Sequence, residues 1–152
     1  EDIKAMQPKL MKYVENGGVM LVQYNVGSPL KLNDIGPYSF AITRDRVTEE
    51  DAKVTMLAPQ HVVLNYPNKI TNKDFDGWIQ ERGLYFVSGQ DEKYTAILGM
   101  NDTGESTKNG SLIVADYGKG RYVYTGLSFF RQLPAGVPGA YRLFVNLISA
   151  KK

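Results

Sequence analysis

The sequence predicts a three-layer α/β domain whose sheet is parallel in its early part and antiparallel in its late part. Near the amino terminus, a helical pattern runs into Gly17-Gly18 and then into an apolar run at 19–22. This order is typical of a helix followed by a buried parallel strand. From residue 84 onward, short segments rich in β-branched and aromatic residues alternate with turn residues, which indicates antiparallel strands. An amphipathic stretch at 140–149 predicts a closing helix.

Composition indicates one globular domain, residues 1–152, and excludes several function classes. Of the 152 residues, 43% are hydrophobic and 22% are charged, which is typical of a chain with a packed core. The net charge of +2 is too small to hold nucleic acid or an anionic membrane electrostatically. With no cysteine and one histidine, thiol nucleophiles, disulfides and nearly all zinc sites are excluded. We therefore expect no metal and no cofactor.

The first helical pattern covers residues 3–16 and places its apolar side chains on one face. Those side chains are Ile3, Met6, Leu10, Tyr13 and Val14. Because proline is tolerated in the first turn of a helix, Pro8 predicts that the helix begins near it. A helix, a glycine pair and a buried strand form the second half of a βαβ unit, so we expect the first strand of that unit to lie upstream of residue 1.

The middle and late segments predict the remaining elements. Residues 26–53 are mostly turn-forming and charged, which predicts a long surface excursion with one short strand at 38–43. Residues 74–80 predict a short helix or a turn, and residues 117–120 predict a hairpin connection. The other expected strands are 54–57, 84–87, 94–100, 111–116 and 121–125. The expected apolar stripe of the closing helix consists of Tyr141, Phe144, Val145 and Ile148.

Tyr24 and Asn25 are candidate site residues because they directly follow the buried strand. Ligands of open α/β sheets bind at the carboxyl ends of the strands, so this position favours a binding crevice. The alternative is that Tyr24 simply closes the edge of the sheet.

Candidates for acid–base chemistry are His61 and a set of carboxylates. A general base needs a nucleophile or an orienting carboxylate beside it, and the sequence around His61 supplies neither, so a structural role is the alternative. Paired carboxylates can hydrolyse glycosides, and the chain offers Asp74, Asp76, Glu81, Asp91 and Glu92. Because Lys73, Arg82 and Lys93 lie among them, a solvated charged face is the other interpretation.

Two further motifs have one functional and one structural interpretation each. Trp78, together with the many tyrosines, can form a stacking platform for a sugar ring, or it belongs to the core. The run Gly118-Lys119-Gly120-Arg121 suggests a phosphate loop, but it joins two predicted strands and lacks the usual glycine spacing. A hairpin turn is therefore the better interpretation of this run.

Residues 128–139 form the most unusual stretch of the sequence. Phe129 and Phe130 are adjacent, Arg131 follows, and four Gly or Pro residues come before the last helix. An apolar loop that holds an arginine favours a surface covered by a partner or another domain. The alternative is a loop packed on its own core.

Two segments resemble class I glutamine amidotransferase-like domains, which implies a flavodoxin-like three-layer sheet. The segment LMKYVENGGVMLVQY (10–24) is similar to the helix, glycine pair and strand that lead to the active-site elbow. The segment DYGKGRYVYT (116–125) is similar to the ending of the ThuA-like branch. Catalytic members carry a cysteine at the elbow and ThuA-like members often a histidine, whereas this chain has Tyr24. His61 lies in a segment similar to the ThuA-like His-Pro segment, with Val62 in place of the proline.

Nearly the whole chain resembles the C-terminal region of long PIG-L/LmbE-family deacetylases of the Bacteroidetes type. The matching stretches are LNYPNKIT (64–71), DFDGWIQERGLYF (74–86) and TGLSFFRQLPAGVPGAYRLFVNLIS (125–149). This resemblance implies a zinc-dependent N-deacetylase for amino-sugar conjugates, whose zinc motif belongs to its N-terminal domain. No residue of that motif matches this chain. Without cysteine there is also no thiolate for the amidotransferase reaction.

The residues and the resemblance together predict a non-catalytic accessory domain of such a deacetylase, serving docking, substrate presentation or stability. The expected partners are the N-terminal deacetylase domain and a glycan, and the resemblance favours a periplasmic or extracellular location. The expected contact residues are Tyr24, Asn25, His61, Trp78, Glu81, Arg82, Phe129, Phe130 and Arg131. Two alternatives stay open. One is a ThuA-like hydrolase or sugar-modifying enzyme using His61 with Glu81 or an aspartate, and the other is a carbohydrate-binding module built on Trp78 and tyrosines.

Overall fold

The computed structural model describes residues 2–25 and 35–150. The α-helices of this part are α1 (Asp2–Glu15), α2 (Phe129–Gln132) and α3 (Pro138–Ile148). Short 3-10 helices cover Val62–Leu64 and Asn72–Phe75. The strands are β1 (Val19–Gln23), β2 (Ala41–Ile42), β3 (Arg46–Val47), β4 (Val54–Met56), β5 (Gly83–Leu84), β6 (Val87–Ser88), β7 (Thr95–Ala96), β8 (Leu98–Met100), β9 (Leu112–Tyr117) and β10 (Gly120–Thr125).

The main sheet has the strand order β1-β10-β9-β7. Strand β1 runs parallel to β10, with Val19 opposite Arg121 and Gln23 opposite Thr125. The pairs β10–β9 and β9–β7 are antiparallel. The shorter strands form three two-stranded pairs, β2–β6, β3–β5 and β4–β8. The prediction of an α/β domain is confirmed to the level of a mixed sheet of parallel and antiparallel strands.

Alternation of side chains along the strands builds a core on each face of the main sheet. On one face, Val123 belongs to the same buried apolar cluster as Leu147 of α3, and Leu21 packs against this cluster. On the other face, Tyr124 belongs to a cluster against which Met11 of α1 packs. In the part of the chain that the structure describes, no helix is long and apolar enough to span a bilayer.

The hairpin between β9 and β10 confirms the turn prediction for residues 117–120, and its glycines have a packing reason. Gly118 has a φ of 56°, a conformation that favours glycine. A Cβ on Gly120 would lie 2.0 Å from the carbonyl oxygen of Val14 and 2.3 Å from that of Gly18. The end of α1 therefore lies directly on the hairpin, at a distance that leaves no room for a side chain.

Helix α1 differs from its prediction in its start and in its buried face. It begins at Asp2 and carries Pro8 in its interior, so the predicted start near Pro8 is wrong. Proline removes one helical hydrogen bond, but the turns on either side continue the helix here. Val14 is fully buried. Three apolar residues of the predicted stripe are more than half exposed, namely Ile3, Met6 and Tyr13.

Helix α3 begins before the predicted range 140–149 and buries a different face. Three residues of the predicted apolar stripe are exposed, and the prediction is wrong for Tyr141, Val145 and Ile148. The buried face contains Leu143, Leu147 and the polar Asn146. Asn146 is fully buried because its amide donates to the carbonyl oxygen of Asn68 at 2.7 Å. Hydrogen bonding thus brings a polar residue outside the predicted stripe into the buried face of the helix.

The remaining strand predictions hold in part. The strand at 54–57 is confirmed as β4, whereas the strand at 38–43 is reduced to β2; residues 26–34 of the predicted excursion lie outside the described residues. The segment 84–87 divides into β5 and β6 because Tyr85 between them has a φ of 56°, which a strand cannot continue through. The predicted strand at 94–100 divides into β7, which pairs with β9, and β8, which pairs with β4.

We expect Gly120→Ala to lower the free energy of unfolding by about 2–3 kcal/mol, because the added methyl group overlaps the carbonyl oxygens of Val14 in α1 and of Gly18 just after it. Lys119→Ala changes an exposed residue of the same turn and should alter this free energy by less than about 0.5 kcal/mol. Urea unfolding followed by circular dichroism measures both variants. Equal stability of the two would show that α1 does not lie on the hairpin.

Candidate functional site

The carboxyl edge of β1 and β10 carries a group of aromatic and charged side chains. Tyr24 directly follows β1, and its N–H donates to the carbonyl oxygen of Thr125 at 2.9 Å, so Tyr24 lies at the end of both parallel strands. The centroid of its ring lies 4.5 Å from that of Phe130 and 5.2 Å from that of Tyr85. The carboxyl-edge cluster is defined as Tyr24, Glu81, Tyr85, Phe130 and Arg131.

Backbone strain in the described residues is concentrated at this cluster. The non-glycine residues with a positive φ are Tyr24 at 43°, Gln80 at 64° and Tyr85 at 56°. Such conformations cost on the order of 1–3 kcal/mol each and persist only where the surrounding structure holds them. The hydroxyl of Tyr124 donates to the carbonyl oxygen of Tyr85 at 3.1 Å and accepts the N–H of Asn25 at 3.4 Å. One buried tyrosine therefore joins the two strained segments.

Glu81 and Arg131 form the charged part of the cluster. Nε of Arg131 donates to Oε1 of Glu81 at 2.9 Å. The guanidinium carbon of Arg131 lies 5.0 Å from the centroid of the Phe130 ring. The Glu81 side chain is 12% exposed and the Arg131 side chain 38% exposed. The charge-assisted hydrogen bond and the aromatic ring together orient the guanidinium group.

The phenol of Tyr24 is held in its neutral form. Burial raises the pKa of Tyr24, and the Glu81 carboxylate and then Tyr85 raise it further, while the charge of Arg131 lowers it. The ordinary pKa of tyrosine, near 10, already leaves a phenol protonated at neutral pH. Tyr24 is therefore equipped to stack and to form hydrogen bonds, and it is poorly suited to act as a nucleophile.

Helix α2 positions Glu81 through buried polar side chains. Nε2 of Gln132 donates to the carbonyl oxygen of Ile79 at 2.9 Å, and Oε1 accepts the N–H of Ile79 at 2.8 Å. The Ser128 hydroxyl donates to the carbonyl oxygen of Glu81 at 2.8 Å. Both Gln132 and Ser128 are fully buried. The segment that carries Glu81 and the helix that carries Arg131 are thus joined inside the protein.

Two of the expected contact residues belong to the core, which corrects their assignment. Trp78 is 3% exposed and its Nε1 donates to the carbonyl oxygen of Asp74 at 2.9 Å, so its interpretation as a core residue is confirmed and the alternative of an exposed sugar platform is wrong. Phe129 is fully buried, with its ring 5.8 Å from that of Trp78. Phe130 faces outward because successive residues of a helix point in different directions.

Arg82, another expected contact residue, is also buried and joins two chain segments. It is 5% exposed, and its Nε and Nη2 donate to the carbonyl oxygen of Ala52 at 3.1 and 2.7 Å. Burial lowers the pKa of Arg82, and the carboxylates of Asp51, Asp76 and Glu50 oppose this shift. These carboxylates line a pocket of about 250 Å³ beside Arg82. Sequence patterning missed this pocket because its two sides are distant in the chain.

Three of the five candidate carboxylates have separate partners. Asp74 accepts a hydrogen bond from Nε of Arg142 at 2.8 Å. Asp91 accepts the backbone N–H of Lys93 at 2.9 Å, and Glu81 is paired within the carboxyl-edge cluster. Within residues 2–25 and 35–150, no group of three His, Asp or Glu side chains is arranged to hold a metal ion.

His61 has a structural role at the start of a 3-10 helix. Its Nδ1 accepts the N–H of Val63 at 3.2 Å and so caps the helix. Burial lowers the pKa of the imidazole, the charge of Arg121 lowers it further, and Asp116 opposes this shift. The neutral ring, with Nδ1 as acceptor, is the form that suits this environment.

Hydrogen bonds link the His61 segment to the sheet edge opposite Tyr24: Nδ2 of Asn146 in α3 donates to the carbonyl oxygen of Val63 at 2.8 Å, and Arg121 donates to the carbonyl oxygen of Ser149, just after α3, at 3.3 Å. Arg121 lies near the start of β10 and Thr125 at its end, and this length of strand spans about 13 Å. Tyr24 and Glu81 belong to the Thr125 end. The structure therefore does not bring His61 and Glu81 together, which contradicts the Glu81 form of the hydrolase interpretation; the carboxylate that acts on the pKa of His61 is Asp116.

Comparison with known proteins shows a shared fold. No family model matches the chain, and no curated protein matches it. Among solved structures, the chain is similar to the cytoplasmic protein STM3548 from Salmonella typhimurium, with 18% identity and a TM-score of 0.57 over 96% of this chain. It covers 61% of that protein's chain. A β-galactosidase from Rahnella sp. R3 has 17% identity and a TM-score of 0.47, over 93% of this chain and 21% of the galactosidase.

We expect the wild-type protein to lose more stability between about pH 7 and pH 5 than the His61→Asn variant. The pKa of His61 lies below its ordinary 6.5 in the folded protein, so the unfolded chain binds the proton more tightly and stability falls as the pH drops below 6.5. Asparagine can cap the helix without titrating. Urea unfolding at both pH values measures the difference, and a parallel pH dependence of the two proteins would contradict the assignment.

We expect Gln132→Leu to lower the free energy of unfolding by about 2 kcal/mol, because the N–H of Ile79 loses its partner and the carbonyl oxygen of Ile79, which also accepts the N–H of Glu81, loses one of its two donors. Gln60→Leu makes the same chemical change at an exposed residue and should cost less than about 0.5 kcal/mol. Chemical unfolding of the two variants tests this. A similar stability for both would mean that Gln132 does not hold the segment in place.

Proposed function

We propose that this chain is a non-catalytic accessory domain of a PIG-L/LmbE-type N-deacetylase, with a flavodoxin-like, amidotransferase-like sheet. In this proposal the carboxyl-edge cluster docks the domain onto a partner domain. The observation that carries the proposal is Tyr24 at the position where the resembling amidotransferases hold their nucleophile. The residue has the strained backbone of a tight turn after the partly buried strand β1, with a φ of 43°, but it presents an aromatic ring packed among others.

The exposed residues around Tyr24 support a binding role because they are of the types enriched at protein interfaces. Aromatic residues and arginine are over-represented there, and they carry much of the binding energy. Phe130 is 45% exposed although its ring packs on Tyr24, and Ile79 is 37% exposed. Apolar side chains exposed beside an oriented Arg131 form a surface that is stabilised when a partner covers it.

The titratable groups of the cluster also support binding rather than a reaction. Tyr24 has a raised pKa and stays protonated. Glu81 is engaged by Arg131 at 2.9 Å and is largely withdrawn from solvent, so its carboxylate serves to orient the guanidinium group. A general base must instead be free to approach the proton that it removes.

We expect the full 152-residue chain to bind the PIG-L/LmbE-type deacetylase domain of the protein to which it is proposed to belong, as measured by isothermal titration calorimetry. Phe130→Ala should weaken this binding about tenfold, since truncating a central aromatic side chain of an interface costs more than about 1 kcal/mol. The matched control is Ile148→Ala on α3, where the side chain is 48% exposed. This control should bind like the wild type.

Two results would contradict the docking proposal. The first is the absence of heat with the wild-type chain, together with a deacetylase rate that does not change when the chain is added. The second is equal weakening by Phe130→Ala and Ile148→Ala, which would show that the carboxyl-edge cluster is not the docking surface.

A further inference from the structure

Arg131 uses only part of its hydrogen-bonding capacity. Its Nε donates to Glu81 at 2.9 Å, whereas its two terminal nitrogens donate no hydrogen bond to any residue in the described ranges 2–25 and 35–150. The side chain is 38% exposed, so these terminal N–H groups are accessible at the surface. A guanidinium group held by its Nε side presents its other edge, with two parallel donors, to whatever approaches.

The orientation of this donor edge is set before any ligand arrives. The guanidinium carbon lies 5.0 Å from the centroid of the Phe130 ring, and Oε1 of Glu81 holds Nε from the side. Glu81 is itself anchored through its carbonyl oxygen, which accepts the Ser128 hydroxyl at 2.8 Å. Fixing a donor in its bound orientation reduces the entropy lost on binding.

The difference in exposure within the ion pair selects the chemistry of the ligand. Arg131 is 38% exposed and Glu81 only 12%, so this ion pair presents its donors to solvent more than its acceptors. The hydroxyl groups of a sugar diol both donate and accept hydrogen bonds, and this ion pair would use only their capacity to accept. A carboxylate has two oxygens in one plane, and these match the two parallel N–H groups of the guanidinium edge. Because Glu81 already neutralises the charge of Arg131, binding of a carboxylate depends more on the geometry of the two parallel N–H groups than on long-range electrostatic attraction.

We infer that Arg131 is the anchor for an Asp or Glu side chain of the docking partner, and this inference rests on the docking role proposed above. The carboxylate binds the terminal nitrogens of Arg131 in bidentate form. Phe130 and Tyr24, whose rings lie 4.5 Å apart, provide the apolar surface beside it. The contact thus joins a charge-assisted pair to an aromatic surface, which is the usual composition of an interface hot spot.

A test that does not require the partner uses propionate as a probe of the Glu side chain and propionamide as its neutral control. In low salt, propionate should shift the backbone amide resonances of Phe130 and Tyr24 in the full 15N-labelled chain saturably, and propionamide should not. Arg131→Lys keeps the charge but removes the fork, so the apparent dissociation constant should rise at least fivefold, about 1 kcal/mol. Arg44→Lys, at an exposed arginine elsewhere, should leave it unchanged. Near-UV circular dichroism verifies that each variant is folded.

The outcomes separate this inference from the docking proposal. The inference is overturned if propionate and propionamide behave alike, or if folded Arg131→Lys binds propionate or the deacetylase domain as tightly as the wild type. In the latter case, wild-type binding to the deacetylase domain still supports docking. If propionate binds as expected and the deacetylase domain does not bind, the carboxylate site is supported and the deacetylase domain is not its partner.

Discussion

The hydrogen bonds between Gln132 and the backbone of Ile79 are the interaction on which the carboxyl edge depends. Residues 79–82 lie before β5 in irregular conformation, and buried backbone groups without partners are costly. Gln132 satisfies both groups of Ile79 from inside the protein. Arg131 directly precedes Gln132 in α2. One turn of this helix therefore positions both the buried side chain of Gln132 and the Arg131–Glu81 ion pair at the surface. The position of Glu81, and through it the orientation of Arg131, follows from this contact.

The same edge holds two strained backbone segments that support each other. Tyr24 and Tyr85 have positive φ values and touch through their rings. The Tyr124 hydroxyl bonds to Tyr85 on one side and to Asn25 on the other. Strain of this size needs compensation by neighbouring contacts, and here hydrogen bonds and aromatic packing provide it. A tight turn is thus maintained around a side chain suited to binding, which is the physical basis of the proposed docking role.

The parts of the fold that were predictable are those with a local signal. The run 19–22 and the hairpin at 117–120 are determined by neighbouring residues, and the structure has both. The buried face of α3 was not predictable, because Asn146 is buried through hydrogen bonds to a distant loop while Tyr141 is exposed. The division at Tyr85 follows from a backbone conformation that tyrosine rarely adopts, and the sequence has no signal for it.

The sequence by itself determined the chemistry that is available: no thiol, one histidine, and a tyrosine directly after the first strand. It also determined the class of the fold, since hydrophobic periodicity reports which segments form helices and strands. Only the tertiary structure decided which candidates meet. It brings Tyr24, Glu81 and Arg131 together from three distant segments, and it places His61 at the opposite edge and Trp78 in the core. Whether residues that are far apart in the sequence come into contact depends on how the whole chain packs, and local sequence patterns do not determine that packing.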